Sequence, residues 1–554
     1  MKPKRLFCIL LATWVLLDML VAMFTTVHAD EAYYALYGQF LDWGYYDHPP
    51  MVALLTFFSS LLFDGNLSIR FLTVLLHGGT VWLIWNLLPE EKWTRRGVKD
   101  FFIIAGSLFM FSVYGIVTTP DAPLLFFTAL FFFFYKKYLS NNSWPNALLM
   151  GVALAAMLYS KYMAVLMVAF VVISNWRVLK DPKIWVAGLL AAALFVPHIL
   201  WQFQNEFPSL RYHLVARNSA FSLRFPLEFI PNQLVIFNPV CFCLALYFCW
   251  KNRKTENLFL RACLFTIVGF VLFFWMMTFK GHAEPHWTVA ASVPLVVMLF
   301  VSMRDDSWQK WICRGILPFA LLLLAARVVL PVLSSEKVGL LGDRKRLEAI
   351  HQHCGDTPVV FVGSFQEPAL YRFYTGENAA PLSSVYGRQT QFDLLQFDKD
   401  LQGQTVYAIG RLIDTLDIPK KELVCREDTT FYCRKYEHFQ GTNRLEVNVD
   451  RYRVAGDSMY LDLTVQNHYG VPFDFNHPDF VTTLHVLYKL DHYFPITCPM
   501  PDHVVIPAGG CVSFSTHLKY IPDAPFVVCF DNEICRSVNS RPVKLENSKN
   551  GKRN

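Results

Sequence analysis

The chain has 554 residues, 54% of them hydrophobic and only 17% charged, with 49 Phe and a formal net charge of +6. That balance excludes an ordinary soluble globular protein, and so small a positive excess points to no nucleic-acid partner. Apolar runs recur at 5–27, 67–88, 101–118, 121–139, 231–250, 258–279, 286–303 and 309–330, each close to the roughly 20 residues a helix needs to cross a bilayer. The chain therefore reads as a polytopic membrane protein.

In chain order, MKPKRLFCILLATWVLL joins a basic cluster to a long apolar run with no small-residue cleavage pattern, so it reads as a retained first helix. Lys and Arg collect in short cytoplasmic loops, which puts the N-terminus inside. Residues 25–66 hold no Lys or Arg and are expected outside. PEEKWTRRGVKD (89–100) and YKKYLSNNS (135–143) read as inside turns, with TTPD (118–121) outside between them. The run 146–176 is interrupted by Ser160 and Lys161. Two short helices, 146–160 and 161–176, return the chain inside at the basic NWRVLKDPK, whereas one long helix would invert every later loop. KNRKTENLFLR (251–261) then falls inside, KGHAEPHW (280–287) outside and MRDDSWQKW (303–311) inside. The count is eleven crossings, with everything after about 335 outside.

Beyond the last apolar run the signal changes. Residues 335–440 mix helix-like RKRLEAIHQHC and EPALYRFYTG with buried-strand signals in PVVFVGS and QTVYAIG, which predicts a small α/β domain. Residues 441–545 alternate as strands between turns, which predicts a β-sandwich-like domain, and 546–554 read as a disordered tail. Seven of the 13 cysteines lie in this region. Cys425 with Cys433 and Cys529 with Cys535 are local candidate pairs in an oxidising compartment, against the alternative of buried thiols. No CxxC or His/Cys spacing suggests a zinc site.

The same topology gathers ionisable residues on the outer face. The segment HADEAYYALYGQFLDWGYYDHPP (28–50) supplies Asp30, Glu31, Asp42, Asp47 and His48; later outer turns add Asp121, Lys161, Glu206, Arg211, His213, Arg217, Arg224, Lys280, His282, Glu284 and His286. Charges at helix ends within a membrane are costly unless they serve a polar cavity. Carboxylates there suit a general base or polyol contacts, and Lys and Arg suit a phosphate leaving group. A helix from Asp30 puts 30, 33, 34 and 37 on one face, so Tyr33, Tyr34 and Tyr37, with Trp43, Tyr45 and Tyr46, offer flat faces for sugar or lipid. Each member has a plainer reading: interfacial aromatics are common, Asp42 also suits a solvated loop, Asp121 in TPDAP a helix cap, and His198 a satisfied polar group at a helix end. Asp18 and Arg327, in the first and last helices, are expected to form a structural ion pair.

These residues resemble the GT-C glycosyltransferases that use polyprenyl-phosphate sugars, within them the protein O-mannosyltransferase and aminoarabinose-transferase-like group. The matching elements are Asp30-Glu31 after the first helix, DHPPM (47–51), TPDAPLLFF (119–127) and SKYMA (160–164), over about residues 5–380. The resemblance implies an all-α GT-C-type membrane domain over 1–334, followed by the soluble outer region. It implies inverting transfer of a sugar from a lipid phosphate to an acceptor hydroxyl on a lipid, glycan or protein. It makes Asp30 the general base, with Glu31 beside it at the acceptor site, and Lys161 a ligand of the leaving phosphate. Arg217 joins Lys161 by location, and Asp121 would position the acceptor or a cation. Where some relatives have Glu-Lys before the Pro pair, this chain has Asp47-His48, so the lysine's phosphate role does not carry over to His48. Asp47 with His48, or His282 with His286, are weak candidates for a divalent cation; no required metal is expected. The implied location is a bacterial inner membrane with the C-terminal domains periplasmic. A ligase using lipid-diphosphate oligosaccharides, or a lipid or sugar transporter or flippase, are the competing readings; a transporter would more often show internal repeats, and none is present.

Overall fold

The computed structural model describes residues 2–543 apart from 214–220, 304–305, 335–343, 383–388, 412, 414–419, 427–428, 490–492, 522–523, 533 and 535. The expected tail at 546–554 lies outside the described residues. The chain forms two compact units, Met1–Gly342 and Asp343–Asn554.

The first unit is helical. Among the described residues, seven helices are long and apolar enough to cross a membrane: Pro3–Phe24, Leu67–Leu87, Asp121–Ser140, Pro182–Gln204, Leu258–Met277, Pro285–Ser302 and Cys313–Leu333. Each of the other expected segments is also helical, in shorter or broken form. The run 146–176 is two helices, Trp144–Ser160 and Ala164–Ser174, separated at Lys161, which takes an extended backbone at the first helix's end. The run 101–118 breaks at Leu108, between Arg95–Ser107 and Phe109–Val113.

The run 231–250 corrects the expectation of a continuous helix. It is a bent pair, Arg224–Phe237 and Pro239–Lys251, turned through 103°. Asn238 sits at the break with φ 68°, and its side chain accepts hydrogen bonds from the Val240 and Cys241 amides. Pro239 disfavours helical backbone at the residue before it and is at home in a first helical turn. The sequence FNPVC is thus a helix start inside an apolar run that hydropathy reads straight through.

Between the first two long helices the chain folds back as a helical hairpin, Ala29–Gln39 and Met51–Ser60. Gly38 permits its close approach, since a Cβ there would collide with the Thr56 hydroxyl and the Phe57 amide. Away from this hairpin, Asp18 and Arg327 form the expected pair, with Asp18 Oδ1 2.8 Å from Arg327 Nε. The Arg327 guanidinium also lies 5.1 Å from the centroid of the Trp14 ring.

The second unit begins with a five-stranded sheet. Ala379–Leu382, Val359–Val362 and Val406–Gly410 run parallel, and the antiparallel pair Thr429–Tyr436 and Lys421–Arg426 extends the edge. The parallel strands are buried nearly throughout, as helix-covered sheets require. The remaining strands form a three-stranded sheet (Leu445–Ala455, Ser458–Asn467, Cys511–Lys519) and a four-stranded sheet (Thr483–Lys489, Tyr493–Cys498, Phe526–Asp531, Arg536–Val538). Their inner faces share one core that includes Leu461, Leu463, Val486 and Phe530, the packing of a sandwich. Phe480 and Ile534 from this part enter the core of the five-stranded sheet beside Val360 and Val406. The Arg444–Asp398 ion pair, at 2.7 Å, links the two parts again. Of the candidate disulfides, the Cys425 side chain and Cys535 lie outside the described residues.

Candidate active site

The site starts from the helix Ala29–Gln39. His28 caps it: its Nδ1 accepts the Asp30 amide at 3.2 Å, and the Glu31 carboxylate returns to accept the His28 amide at 2.9 Å. This reciprocal cap fixes which carboxylate points where. Asp30 keeps 44% of its side chain exposed, with Oδ2 3.9 Å from His28 Nδ1. Glu31 is fully buried. Its Oε1 accepts Arg70 Nε at 2.7 Å and the Thr118 amide at 2.9 Å; its Oε2 accepts Arg70 Nη2 at 2.5 Å. The adjacent acids, read together from sequence, have opposite surroundings.

A second buried pair lies behind the turn at 118–121. Asp121 opens the helix Asp121–Ser140 but makes no side-chain cap. Both its oxygens instead accept Lys161 Nζ, at 2.8 and 2.7 Å. Lys161 gets there because the break after Ser160 turns it away from the helix. The Tyr114 phenol is within electrostatic reach of Asp121, Tyr34, Asp30 and Glu284, and its ring lies 6.1 Å from that of His286. His282 Nδ1 lies 3.5 Å from Glu284 Oε1. The structure thus brings Asp30, Tyr34, Asp121, Lys161, Glu284 and His286 to one region, organised around a tyrosine the sequence reading did not single out.

On the other side of Tyr34, its ring meets His48 at 5.7 Å, and His48 meets His213 at 6.1 Å. His213 Nε2 is 3.0 Å from the Asp47 carbonyl oxygen, and its ring meets Tyr162 at 5.9 Å. Asp47 is buried, at 2% exposure. Arg217 lies outside the described residues. Among the described residues no group of three or more His, Cys, Asp or Glu converges to hold a metal ion.

The loop tyrosines are packed inward. Tyr33, Tyr34, Tyr37, Tyr45 and Tyr46 are all buried, and Tyr37 stacks on Tyr45 at 4.1 Å. An eleven-residue helix is too short to hold itself in water, and these rings make its core. The Tyr45 hydroxyl donates to the Tyr37 and Phe40 carbonyls; burial pushes both phenols up, so they stay neutral at physiological pH. The exposed faces belong to Phe40, Leu41 and Trp43 at the hairpin tip, as suits an interfacial anchor.

That tip is latched to the helix Pro182–Gln204. Trp201 Nε1 donates to Asp42 at 2.6 Å, and His198 Nδ1 is 2.7 Å from the Trp43 carbonyl oxygen. The Tyr162 hydroxyl meets His198 Nε2 at 2.9 Å, and Ser209 donates to the Tyr45 carbonyl at 2.8 Å. Asp42 is therefore a latch residue, not merely a solvated loop charge. A Cβ on Gly44 would enter the Trp201 ring. Trp201→Phe keeps that packing but leaves Asp42 without its indole donor. Hydrogen bonds to charged groups contribute about 1.5–3 kcal/mol, so faster proteolysis at 40–46 is expected in W201F, with the helical bundle intact.

The chain has the GT-C fold, as its likeness to a solved structure shows. Its structure is similar to that of ArnT from Cupriavidus metallidurans in the apo state, with TM-score 0.57 and 15% identity over 77% of this chain and 97% of ArnT. The same enzyme bound to undecaprenyl phosphate aligns with TM-score 0.56 at 14% identity, with the same coverage. Residues 47–201 match the family described as dolichyl-phosphate-mannose-protein mannosyltransferase. The lipid A galacturonosyltransferase RgtD of Rhizobium johnstonii is 27% identical over 306 residues, 52% of this chain and 62% of RgtD. The match thus spans less than two thirds of that curated relative.

Proposed function

We propose that the protein is a membrane glycosyltransferase that moves a sugar from a polyprenyl-phosphate donor to a lipid-borne hydroxyl. The observation that carries this reading is the half-exposed Asp30 carboxylate in the first turn of its helix, within electrostatic reach of the same tyrosine as Asp121. The donor class is supported by the likeness to ArnT, whose structure holds undecaprenyl phosphate. The acceptor class is supported by the relative that acts on lipid A. The charge rule supports a cytoplasmic N-terminus with the site and C-terminal domains on the outer side, and the likeness to a Rhizobium protein supports a bacterial inner membrane.

In this reading the acceptor oxygen attacks the anomeric carbon on the face opposite the phosphate. Asp30 takes the hydroxyl proton as the new bond forms. The bond from the anomeric carbon to the phosphate oxygen breaks, and the electron pair leaves on polyprenyl phosphate. Lys161 serves the leaving phosphate. An ammonium carries three donors, so Asp121 can hold it in place while a donor remains for the phosphate. Asp47, His48 and His213 line the neighbouring wall, where the donor's sugar would sit against Tyr34. The anomeric configuration of the product tests the mechanism: a single displacement gives inversion, and a product with the donor's configuration overturns it.

A further inference from the structure

Arg70 sits one turn into the helix Leu67–Leu87 and is 2% exposed. Its guanidinium donates to both oxygens of Glu31, at 2.7 and 2.5 Å. It also donates to the carbonyls of Ala22 at 3.1 Å, Thr25 at 2.9 Å and Thr26 at 2.9 Å, and to the Thr25 hydroxyl at 2.9 Å. Glu31 in turn accepts the amides of His28 and Thr118. The Thr118 hydroxyl is pinned to Thr73 at 2.7 Å and to the Ile69 carbonyl at 3.0 Å. One guanidinium–carboxylate fork therefore ties three pieces of chain: the end of the first helix, the start of the Asp30 helix, and the turn that leads to Asp121 three residues on.

We infer that Arg70 and Glu31 are positioning residues that set the separation between the Asp30 and Asp121 walls, and that Glu31 does not touch the acceptor. The inference rests on the function proposed above. Both Glu31 oxygens are occupied by protein donors, and the carboxylate has no exposed surface, so substrate would have to break the fork to reach it. The planar fork matters, because a lysine presents a point charge and cannot hold two oxygens and three carbonyls in one plane. Misplacement of a catalytic group by about 1 Å costs on the order of 10²-fold in rate.

The test uses full-length protein in lipid nanodiscs with Arg70→Lys, Arg70→Met and Glu31→Gln. Steady-state kinetics are read beside amide hydrogen exchange at 28–32 and 118. The near-isosteric E31Q and R70K carry the test if R70M does not fold. The expected result is a fall in kcat of about 10²-fold in R70K and E31Q, with KM for donor and acceptor little changed. Exchange should quicken at 28–32 and 118, and the helix Leu258–Met277 should keep its protection. A raised acceptor KM with kcat preserved in E31Q would place Glu31 on the substrate and overturn the inference. Unsubstituted kcat in R70K, or unchanged exchange at those amides, would also overturn it. If the unsubstituted protein transfers no sugar, the proposed function fails, and the exchange data alone decide whether Arg70 and Glu31 hold the two walls.

Discussion

Asp30→Asn is expected to lower sugar transfer by about 10²–10⁴-fold, the usual contribution of a positioned general base. The fold should survive. Asp30 is half exposed, and its backbone amide, which the cap uses, is unchanged in the variant. The asparagine is nearly isosteric but cannot accept the acceptor's proton. Donor binding should persist, so the loss falls on kcat, not on retention of labelled lipid phosphate. The contrast with Glu31→Gln is informative, because there the loss should come with a loosened loop. Transfer at an undiminished rate by a well-folded D30N would remove Asp30 from the chemistry.

The second large effect concerns Asp121 and Lys161. Both are buried, at 3% and 6% exposure, and both carboxylate oxygens are on the ammonium. Removing one partner strands the other charge in a low-dielectric site, which typically costs about 3–5 kcal/mol. Asp121→Asn and Lys161→Met should each lower the thermal unfolding midpoint markedly. The double variant D121L/K161M should regain most of that stability, because apolar groups of similar size replace a buried pair at little cost. It should not regain activity. Recovery of stability without transfer would separate the pair's role in the fold from its role at the phosphate; full activity in the double variant would leave the pair purely structural. Thermal denaturation and donor turnover on the four proteins decide between these results.

Much of the architecture was legible because membranes impose simple rules. Apolar length located the long helices, and the charge rule required a break near Lys161, where the chain does turn. Asp30-Glu31 stood out in the sequence as an acid pair after a first apolar helix; that Asp30 is half exposed and Glu31 buried is what the structure adds. The failures have physical causes. Hydropathy averages over FNPVC, so the turn at Asn238 was hidden inside a run that is apolar on both sides. The packing of the first-loop tyrosines was hidden because interfacial, ligand-stacking and core aromatics share a composition; the structure shows their rings buried around a short helix. Arg70 was passed over inside LSIRFL, although a lone arginine in an apolar helix needs a buried partner. Asking which carboxylate answers it would have pointed to Glu31 and parted the two acids before any coordinates. Tyr114 carries no sequence signal beyond its place before an outer turn.

The latch has a consequence for how the site opens. Asp42, Trp43 and Tyr45 hold the hairpin tip to Trp201, His198 and Ser209, and the Tyr34–His48–His213 rings lie beneath it. The same tip carries the exposed Phe40, Leu41 and Trp43. Gly44→Val, which forces a side chain into the Trp201 ring, should raise the KM for donor more than it lowers kcat, as measured by steady-state transfer with donor varied.

The most direct test of the central claim is release of labelled sugar by purified protein in lipid nanodiscs, from polyprenyl-monophosphate and polyprenyl-diphosphate sugars in parallel, with Asp30→Asn alongside. The account predicts that label leaves a monophosphate donor, that polyprenyl phosphate accumulates in equal amount, and that D30N slows both by about 10²–10⁴-fold. Turnover confined to the diphosphate donors, or no turnover by protein that is folded and binds lipid, would contradict it.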